Sequence, residues 1–364
     1  MWSNLPFDIL ANIFSYLSPD SLARAKSVCR SWHATVDSAA ALAAPHRHPP
    51  WFIVLPTRGW GPSCYAHNPV GENWHVLPLD QTIGDLRPVA SICGLVLSRV
   101  IGKTSLELAI SNPFTRQFRT LPRLNVARTN PAVGLIEHSP TQSCRNSGFK
   151  IFVAGGMSEA AGGGAVYQPT IEMYDSLSDT WHVVGPMPVE FAVRLTVWTP
   201  NESMYSKGVL YWMTSARAYS LMGLEIMTNK WRELSVPMAD RLEFAALVLR
   251  NENLTIVGGT CNGDACIWEL GEDNDWSVVG KVPFELGMKL LGLGVKVNWG
   301  GVKCVGSNGE VWLYREIGRG MIVWREVIGG GKWEWSWIEG CCREIKNFPI
   351  KGLLLHPNLA RVAF

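Results

Sequence analysis

An aromatic residue returns about every fifty positions along most of this chain. The series is Trp74, Phe118, Trp181, Trp231, Trp276 and Trp333, with spacings of 44, 63, 50, 45 and 57. Proline follows within a few residues at Pro78, Pro122, Pro186 and Pro237, and Trp276 reaches Pro283 a little later. The clearest unit runs Phe149 to Gly155-Gly156, then Thr170 to Tyr174-Asp175, then Thr180-Trp181, and closes on Pro186-Met187-Pro188. Each part has a physical task. A glycine pair ends an inner strand where a neighbouring backbone leaves no room for a Cβ. Asp175 ends the next strand and starts a turn by bonding to backbone two residues on. Trp181 opens the outer strand and fills the gap to the adjacent sheet.

The other units keep this order with substitutions. Asn68-Pro69 and Asn112-Pro113 do the turn-starting work of Tyr174-Asp175, and Gly258-Gly259 is a second glycine pair. The 17 tryptophans, 35 glycines and 22 prolines in 364 residues suit many short strands better than long helices. A period near fifty with four short strands per unit is the pattern of a β-propeller. Residues 51–364 hold six such units. The first, opening at Trp51, has only three strands before Leu79, while Ile350–His356 is an apolar strand with no sheet of its own. The economical inference is that this tail completes the first blade and closes the ring.

Residues 1–44 read differently. Ile9, Leu10, Ile13, Phe14 and Leu17 recur at helical spacing, with polar Asp8, Asn12 and Ser15 between them. Ser18-Pro19 stops that helix and starts another, Ser as N-cap and Pro at the first helical position. Leu22, Ala25, Val28-Cys29, Trp32 and Val36 continue the stripe into a third helix. So small a segment buries its own stripe poorly and wants a partner. Residues 45–50, Pro45-His46-Arg47-His48-Pro49-Pro50, read as a linker.

The net charge of +2, with both signs mixed, argues against nucleic acid or an anionic membrane as the main partner. No stretch reaches the ~18 apolar residues of a membrane helix, and the N-terminus lacks a secretion signal. The nine cysteines are scattered apart from Cys341-Cys342, and Cys261 and Cys266 are too loosely spaced for a zinc knuckle. They read as free thiols of a reducing compartment, cytoplasmic and/or nuclear. No cofactor or metal is expected. Gly102-Lys103-Thr104 lacks the earlier glycine of a phosphate loop, since position 97 is Leu97, and Gly292-Leu293-Gly294 lacks a third glycine. His46 and His48 have no further ligand nearby, and no nucleophile elbow occurs. The chain is read as not an enzyme.

The pattern Leu5-Pro6-x-Asp8-Ile9-Leu10-x-x-Ile13-Phe14-x-x-Leu17, then Leu22-x-Arg24-x-x-x-Val28-Cys29-Arg30-x-Trp32, resembles the F-box family over about forty residues. The remainder resembles the kelch repeats that follow the F-box in many plant proteins, most closely in the third unit. The expected fold is therefore mainly β: a six-bladed kelch-like propeller preceded by a small all-α F-box. The resemblance implies that the F-box docks on the Skp-type adaptor of a Skp–cullin–F-box ubiquitin ligase, and through it on a cullin–RING ligase. The propeller then captures an unknown protein substrate. By position, Leu5, Pro6, Ile9, Leu10, Ile13, Leu17, Leu22, Val28, Cys29 and Trp32 carry the docking. Ile13, Leu22, Val28 and Trp32 serve equally well to hold the helices together, and internal packing explains Leu5 and Pro6 least. The rival reading is a ligase-independent scaffold, cytoskeletal or in a transcription complex.

In a four-stranded blade, the loop between the second and third strands shares one rim with the link to the next blade. That rim collects Arg58, Trp60, Lys103, Arg217, Tyr219, Asn262, Asp264 and Arg319 as substrate-binding candidates. Arg, Trp and Tyr are the types enriched at binding hot spots. Ordinary solvated loop residues are the competing account.

Overall fold

The computed structural model describes residues 5–37, 48–57, 63–79, 86–137, 148–197, 203–292, 298–315, 320–327, 331–341 and 350–359. His46, Arg58, Trp60, Arg319, Cys342 and Gly294 lie outside these residues. Three eight-residue helices come first: α1 (Phe7–Phe14), α2 (Pro19–Lys26) and α3 (Arg30–Asp37). Pro19 occupies the first turn of α2, and the Ser18 hydroxyl accepts from the Ser21 amide at 3.4 Å, a long cap.

Strands β1 (Trp51–Pro56), β2 (Ser63–Asn68) and β3 (Asn73–Pro78) are followed by β4 (Leu86–Ile92), β5 (Leu95–Val100), β6 (Leu108–Asn112) and β7 (Gln117–Thr120). The third sheet comprises β8 (Ala132–Glu137), β9 (Phe149–Ala154), β12 (Thr170–Asp175) and β13 (Thr180–Pro186). A small hairpin, β10 (Met157–Glu159) and β11 (Ala165–Tyr167), is inserted between its middle strands. Helix α4 (Val189–Val197) then leads to β14 (Ser203–Ser206), β15 (Val209–Ser215), β16 (Tyr219–Glu225) and β17 (Lys230–Ser235). The fifth sheet is β18 (Leu242–Arg250), β19 (Asn253–Thr260), β20 (Ala265–Leu270) and β21 (Trp276–Lys281), followed by α5 (Phe284–Leu291). The sixth is β22 (Lys303–Ser307), β23 (Glu310–Tyr314), β24 (Met321–Glu326) and β25 (Trp333–Ile338). Last comes β26 (Ile350–Leu355), antiparallel to β1 with Ile53 opposite Leu353, so the first sheet runs β26-β1-β2-β3.

The fold is mainly β, six four-stranded antiparallel sheets in a propeller arrangement after a small helical segment. Two compact units result. One holds the three helices, the first two sheets and β26; the other holds the remaining four sheets with α4 and α5. Every periodic aromatic falls on the first or second residue of an outer strand: β3, β7, β13, β17, β21 and β25. Trp181 and Trp276 also use their indole N–H, donating to the carbonyls of Pro122 and Ser235 at 2.8 and 2.9 Å. That satisfies the one polar group of each indole. Between the fifth and sixth sheets, the Arg250 guanidinium lies over Trp324 and Trp333 and ion-pairs with Glu269 at 2.7 Å.

The turn chemistry is local and regular. Asp175 accepts from the Leu177 amide at 2.9 Å, Asn68 from Val70 at 3.0 Å, and Asn112 from Phe114 at 2.9 Å. The first glycine pair behaves as expected: a Cβ on Gly155 would meet the Ala192 carbonyl at 2.9 Å, and one on Gly156 the Thr129 carbonyl at 2.9 Å. Gly259 departs from the expectation. Its close neighbour is the Trp299 side chain, 2.3 Å from an added Cβ, so here glycine makes room for an indole and not for backbone.

A buried charge network anchors the segment that enters the third sheet. The guanidinium of Arg128 and the carboxylate of Glu172 on β12 pair at 2.6 Å with no side-chain exposure. Arg128 also donates to the carbonyls of Gly155 and Thr170, at 3.1 and 2.9 Å. Glu172 accepts in addition from the amides of Asn125 and Val126, at 2.7 and 3.1 Å. Both charges are thus paired and hydrogen-bonded, which burial demands.

Candidate functional site

The helical segment divides its apolar residues between an inner and an outer face. Leu10, Phe14, Leu22, Ala25 and Val36 form its core, with Trp32 edge-on to Phe14 at 5.1 Å. On the outside stand Phe7, Ile9, Ile13, Tyr16 and Val28, with Ile9 46 % and Val28 61 % exposed. Ile9 and Ile13 lie one helical turn apart, so their side chains share a face of α1. Pro6 and Cys29 are exposed as well.

This geometry sorts the ten positions assigned by resemblance. Pro6, Ile9, Ile13, Val28 and Cys29 are presented to solvent. Leu10 and Leu22 are not: at 3 % and 9 % exposure they build the helical core, because each points along the inner stripe. Leu17 and Trp32 are half-buried and pack against that core. Leu5 does so too, which corrects the expectation that packing explains it least. Among the four positions that could serve either task, Leu22 and Trp32 turn inward, and Ile13 and Val28 outward. Phe7 and Tyr16 were missed. Phe7 shares the helical phase of the buried Leu10 and Phe14, so the period carries no signal for its exposure, and Tyr16 follows the end of α1.

The propeller candidates that are described belong to the second unit. There the loops between second and third strands do share a rim with the links between sheets. Arg194 of α4 donates to the Thr214 and Ser220 hydroxyls, which flank the β15–β16 loop, and to Glu233 at 2.8 Å. This bond holds the Glu233 carboxyl below its ordinary pKa. Trp299, in the link after the fifth sheet, donates its indole N–H to the Gly263 carbonyl of the β19–β20 loop at 3.0 Å. The Cys261 amide donates to the carbonyl of Arg241, in the link before that sheet, at 3.0 Å.

On this rim Arg217 is exposed, and Tyr219 is half-buried, its phenol pKa raised by burial. Asn262 is exposed, and Asp264 pairs with Lys281 at 3.0 Å. Lys103 is exposed and pairs with Glu107 at 3.6 Å. The rim therefore places Arg217 with Tyr219 and Asn262 with Asp264, pair by pair. Sequence reasoning missed its apolar contribution, Val166 on the hairpin, Val189 at the start of α4 and Phe284 at the start of α5, the last 75 % exposed. Gly162, Gly163 and Gly164 turn the hairpin in open space, with nothing near an added Cβ.

Gly102-Lys103-Thr104 lies in the loop between β5 and β6, with no helix after it. Among the described residues no group of three His, Cys, Asp or Glu side chains is placed to hold a metal ion. No helix among them is long and apolar enough to cross a membrane. Cys29, Cys64, Cys261 and Cys266 are free thiols, and burial pushes Cys64 up to about 12.

Comparison with known proteins finds a family match in two segments. Residues 2–42 match the F-box-like family, and residues 147–188, the third sheet, match the Kelch motif. F-box only protein 6 of Arabidopsis thaliana is 25 % identical over 358 residues, covering 94 % of this chain and 70 % of that protein. Two Arabidopsis thaliana F-box/kelch-repeat proteins align as well. One is 27 % identical over 78 % of this chain and 73 % of its own length. The other is 24 % identical over 94 % and 83 %. With three helices that match one family and, among six four-stranded sheets, a third that matches the motif of the other, the chain joins an F-box to a kelch-repeat β-propeller.

Proposed function

We propose that this chain is the substrate-recruiting subunit of a Skp–cullin–F-box ubiquitin ligase, its helices docking on a Skp-type adaptor and its propeller holding a target protein. The F-box/kelch architecture is typical of such adaptors. The observation that carries the reading is the outer face of the helical segment. Phe7, Ile9, Ile13, Tyr16 and Val28 expose large apolar surface within some twenty residues that already own a filled core. Surface of that kind is kept for a partner. The mechanism is proximity: a tethered target meets the ubiquitin-charged enzyme at high effective concentration, and this chain supplies no catalytic group. The compartment is cytoplasmic and/or nuclear.

The docking half is tested with purified Skp-type adaptor. Ile9→Glu with Ile13→Glu places charge on the outer face and leaves Leu10 and Phe14 in the core. Interface anchors are worth ~2 kcal/mol or more each, so adaptor affinity falls at least about thirtyfold per anchor, with the melting temperature unchanged. Undiminished adaptor binding by this double variant overturns the assignment and leaves a ligase-independent scaffold.

The capture half is assigned to the rim bearing Arg217 and Tyr219. Arg217→Glu with Tyr219→Ala weakens capture of ubiquitinated partners in proteasome-blocked cells while adaptor binding stays intact. If Thr228→Lys, on the opposite rim, impairs capture and the double variant does not, the rim is wrongly chosen.

A further inference from the structure

Asn68 and Asn112 occupy matching places in the first two sheets, at the ends of β2 and β6. Each uses its side-chain oxygen to start a turn, accepting from Val70 and Gly71 in one case and from Phe114 and Thr115 in the other. In the third sheet Asp175 does the same work with a carboxylate. Aspartate therefore serves the turn. What asparagine adds is an NH2 group, and in both sheets that group is used on a distant part of the chain. Asn68 Nδ2 donates to the Asp20 carboxylate of α2 at 2.6 Å. Asn112 Nδ2 donates to the carbonyl of Asn358, just past β26, at 2.8 Å. Both asparagines are buried, so neither donor has water as an alternative.

The segment His356–Leu359 connects these two grips. Leaving β26, it passes Gly94, where a Cβ would lie 2.8 Å from the His356 carbonyl. It is held by Asn112 and reaches the helices. There the Leu359 carbonyl accepts from Lys26 Nζ at 2.9 Å, and the Leu359 side chain packs against the core of Leu10, Phe14, Leu22, Ala25 and Val36. Lys26 is itself paired with Asp37 at the end of α3. On the other flank, Asp20 also lies 3.5 Å from His75 Nε2, and that ring is stacked on Trp51 at 5.1 Å. Asp20 sits in the first turn of α2, where a carboxylate is favoured by the helix dipole.

We propose that Asn68 and Asn112 are latch residues, which with Asp20 and His356–Leu359 hold the helical segment and the first two sheets as one rigid body. The inference deepens the adaptor reading and rests on it only for its purpose. A docked adaptor is then fixed in orientation to the first two blades, which a flexible tether cannot do. The latch leaves Ile9, Ile13 and Val28 exposed, so it does not compete with docking.

The test is Asn68→Asp with Asn112→Asp in the full chain. The turns keep their acceptors, and both grips lose their donors; at Asn68 a carboxylate then faces Asp20. Spin labels on p-acetylphenylalanine at Ala34 and Val76, both exposed, avoid the native cysteines. Electron–electron distance measurement without adaptor gives a single narrow distance in the parent chain. In the variant it broadens on the order of 20 Å, the reach of a flexible chain as long as the stretch from Asp37 to Trp51. A second variant, Leu359→Asp, alters no sheet and produces the same broadening with an unchanged cooperative melt. It decides the matter if the asparagine variant does not fold. A broad distribution in the parent, or a narrow one in Leu359→Asp, overturns the latch. Adaptor affinity is read separately, expected within about twofold of the parent for Leu359→Asp. Loss of adaptor binding by the parent chain itself sinks the ligase reading and leaves the latch standing.

Discussion

Replacing Glu172 by alanine lowers the stability of the protein by about 3–5 kcal/mol, the cost of leaving a buried charge without its partner. The network explains why the effect is large for one side chain. The substitution strands the fully buried Arg128 guanidinium and removes the acceptor of the Asn125 and Val126 amides at the same time. Those amides belong to the segment that carries Asn125 Nδ2 to the Trp181 carbonyl at 3.2 Å, and the Pro122 carbonyl to the Trp181 indole. The third sheet therefore loses its clasp along with its ion pair. Urea unfolding of the parent and variant measures the difference. Domains of this kind hold only 5–15 kcal/mol in total, so a large share of the margin is at stake. A combined Arg128→Met, Glu172→Leu variant recovers part of the loss, since a matched apolar pair leaves no stranded charge. A loss under about 1 kcal/mol in Glu172→Ala would mean that water reaches the pair and that its burial is illusory.

Removing residues 349–364 abolishes cooperative folding. The deletion takes away β26, and with it the burial of Ile350, Leu353, Leu354 and Leu355, each at most 6 % exposed. Fully burying one such side chain is worth about 1.5–3 kcal/mol, so four together approach the whole stability of a domain. The remaining sheet presents the open edge of β1, whose residues Trp51–Leu55 are all buried in the intact protein. An uncovered apolar edge pairs with another chain. The expected result is aggregation on purification or a melt without a sharp transition, by light scattering and circular dichroism. A synthetic peptide of residues 349–359, added during refolding, supplies the strand in trans and restores solubility. A truncated protein that melts as the full chain does would show that the first sheet stands without its fourth strand.

Most of the fold is written in local signals. Ser18-Pro19 marks the start of α2, the stripe of Leu10, Phe14 and Leu22 marks an inner face, and six aromatics mark six outer strands. The acceptor at each turn is named by Asn68, Asn112 and Asp175. What the sequence hides is what depends on distance along the chain. Arg128 and Glu172 stand 44 residues apart, and nothing around either announces the other. Trp299 fills the space at Gly259 from forty residues away. Helices α4 and α5 lie inside apolar links that mask their period, and the three-residue strands of the hairpin raise none. The candidate site follows the same division. Helical phase separates Ile9 and Ile13 from Leu10, yet whether Leu5 packs inward depends on a core built by all three helices.

The placement of β26 also sets a timetable for synthesis. Strands β1 to β3 leave the ribosome roughly 280 residues before the strand that completes their sheet. At translation rates of about 5–20 residues per second that interval is on the order of 15–55 s. Through it the nascent chain carries an unfinished sheet and helices not yet tied to Leu359, while later sheets have their own strands in sequence order. The edge of residues 51–55 thus stays open until translation passes Leu355, and any stalling of ribosomes between the two exposes it for longer.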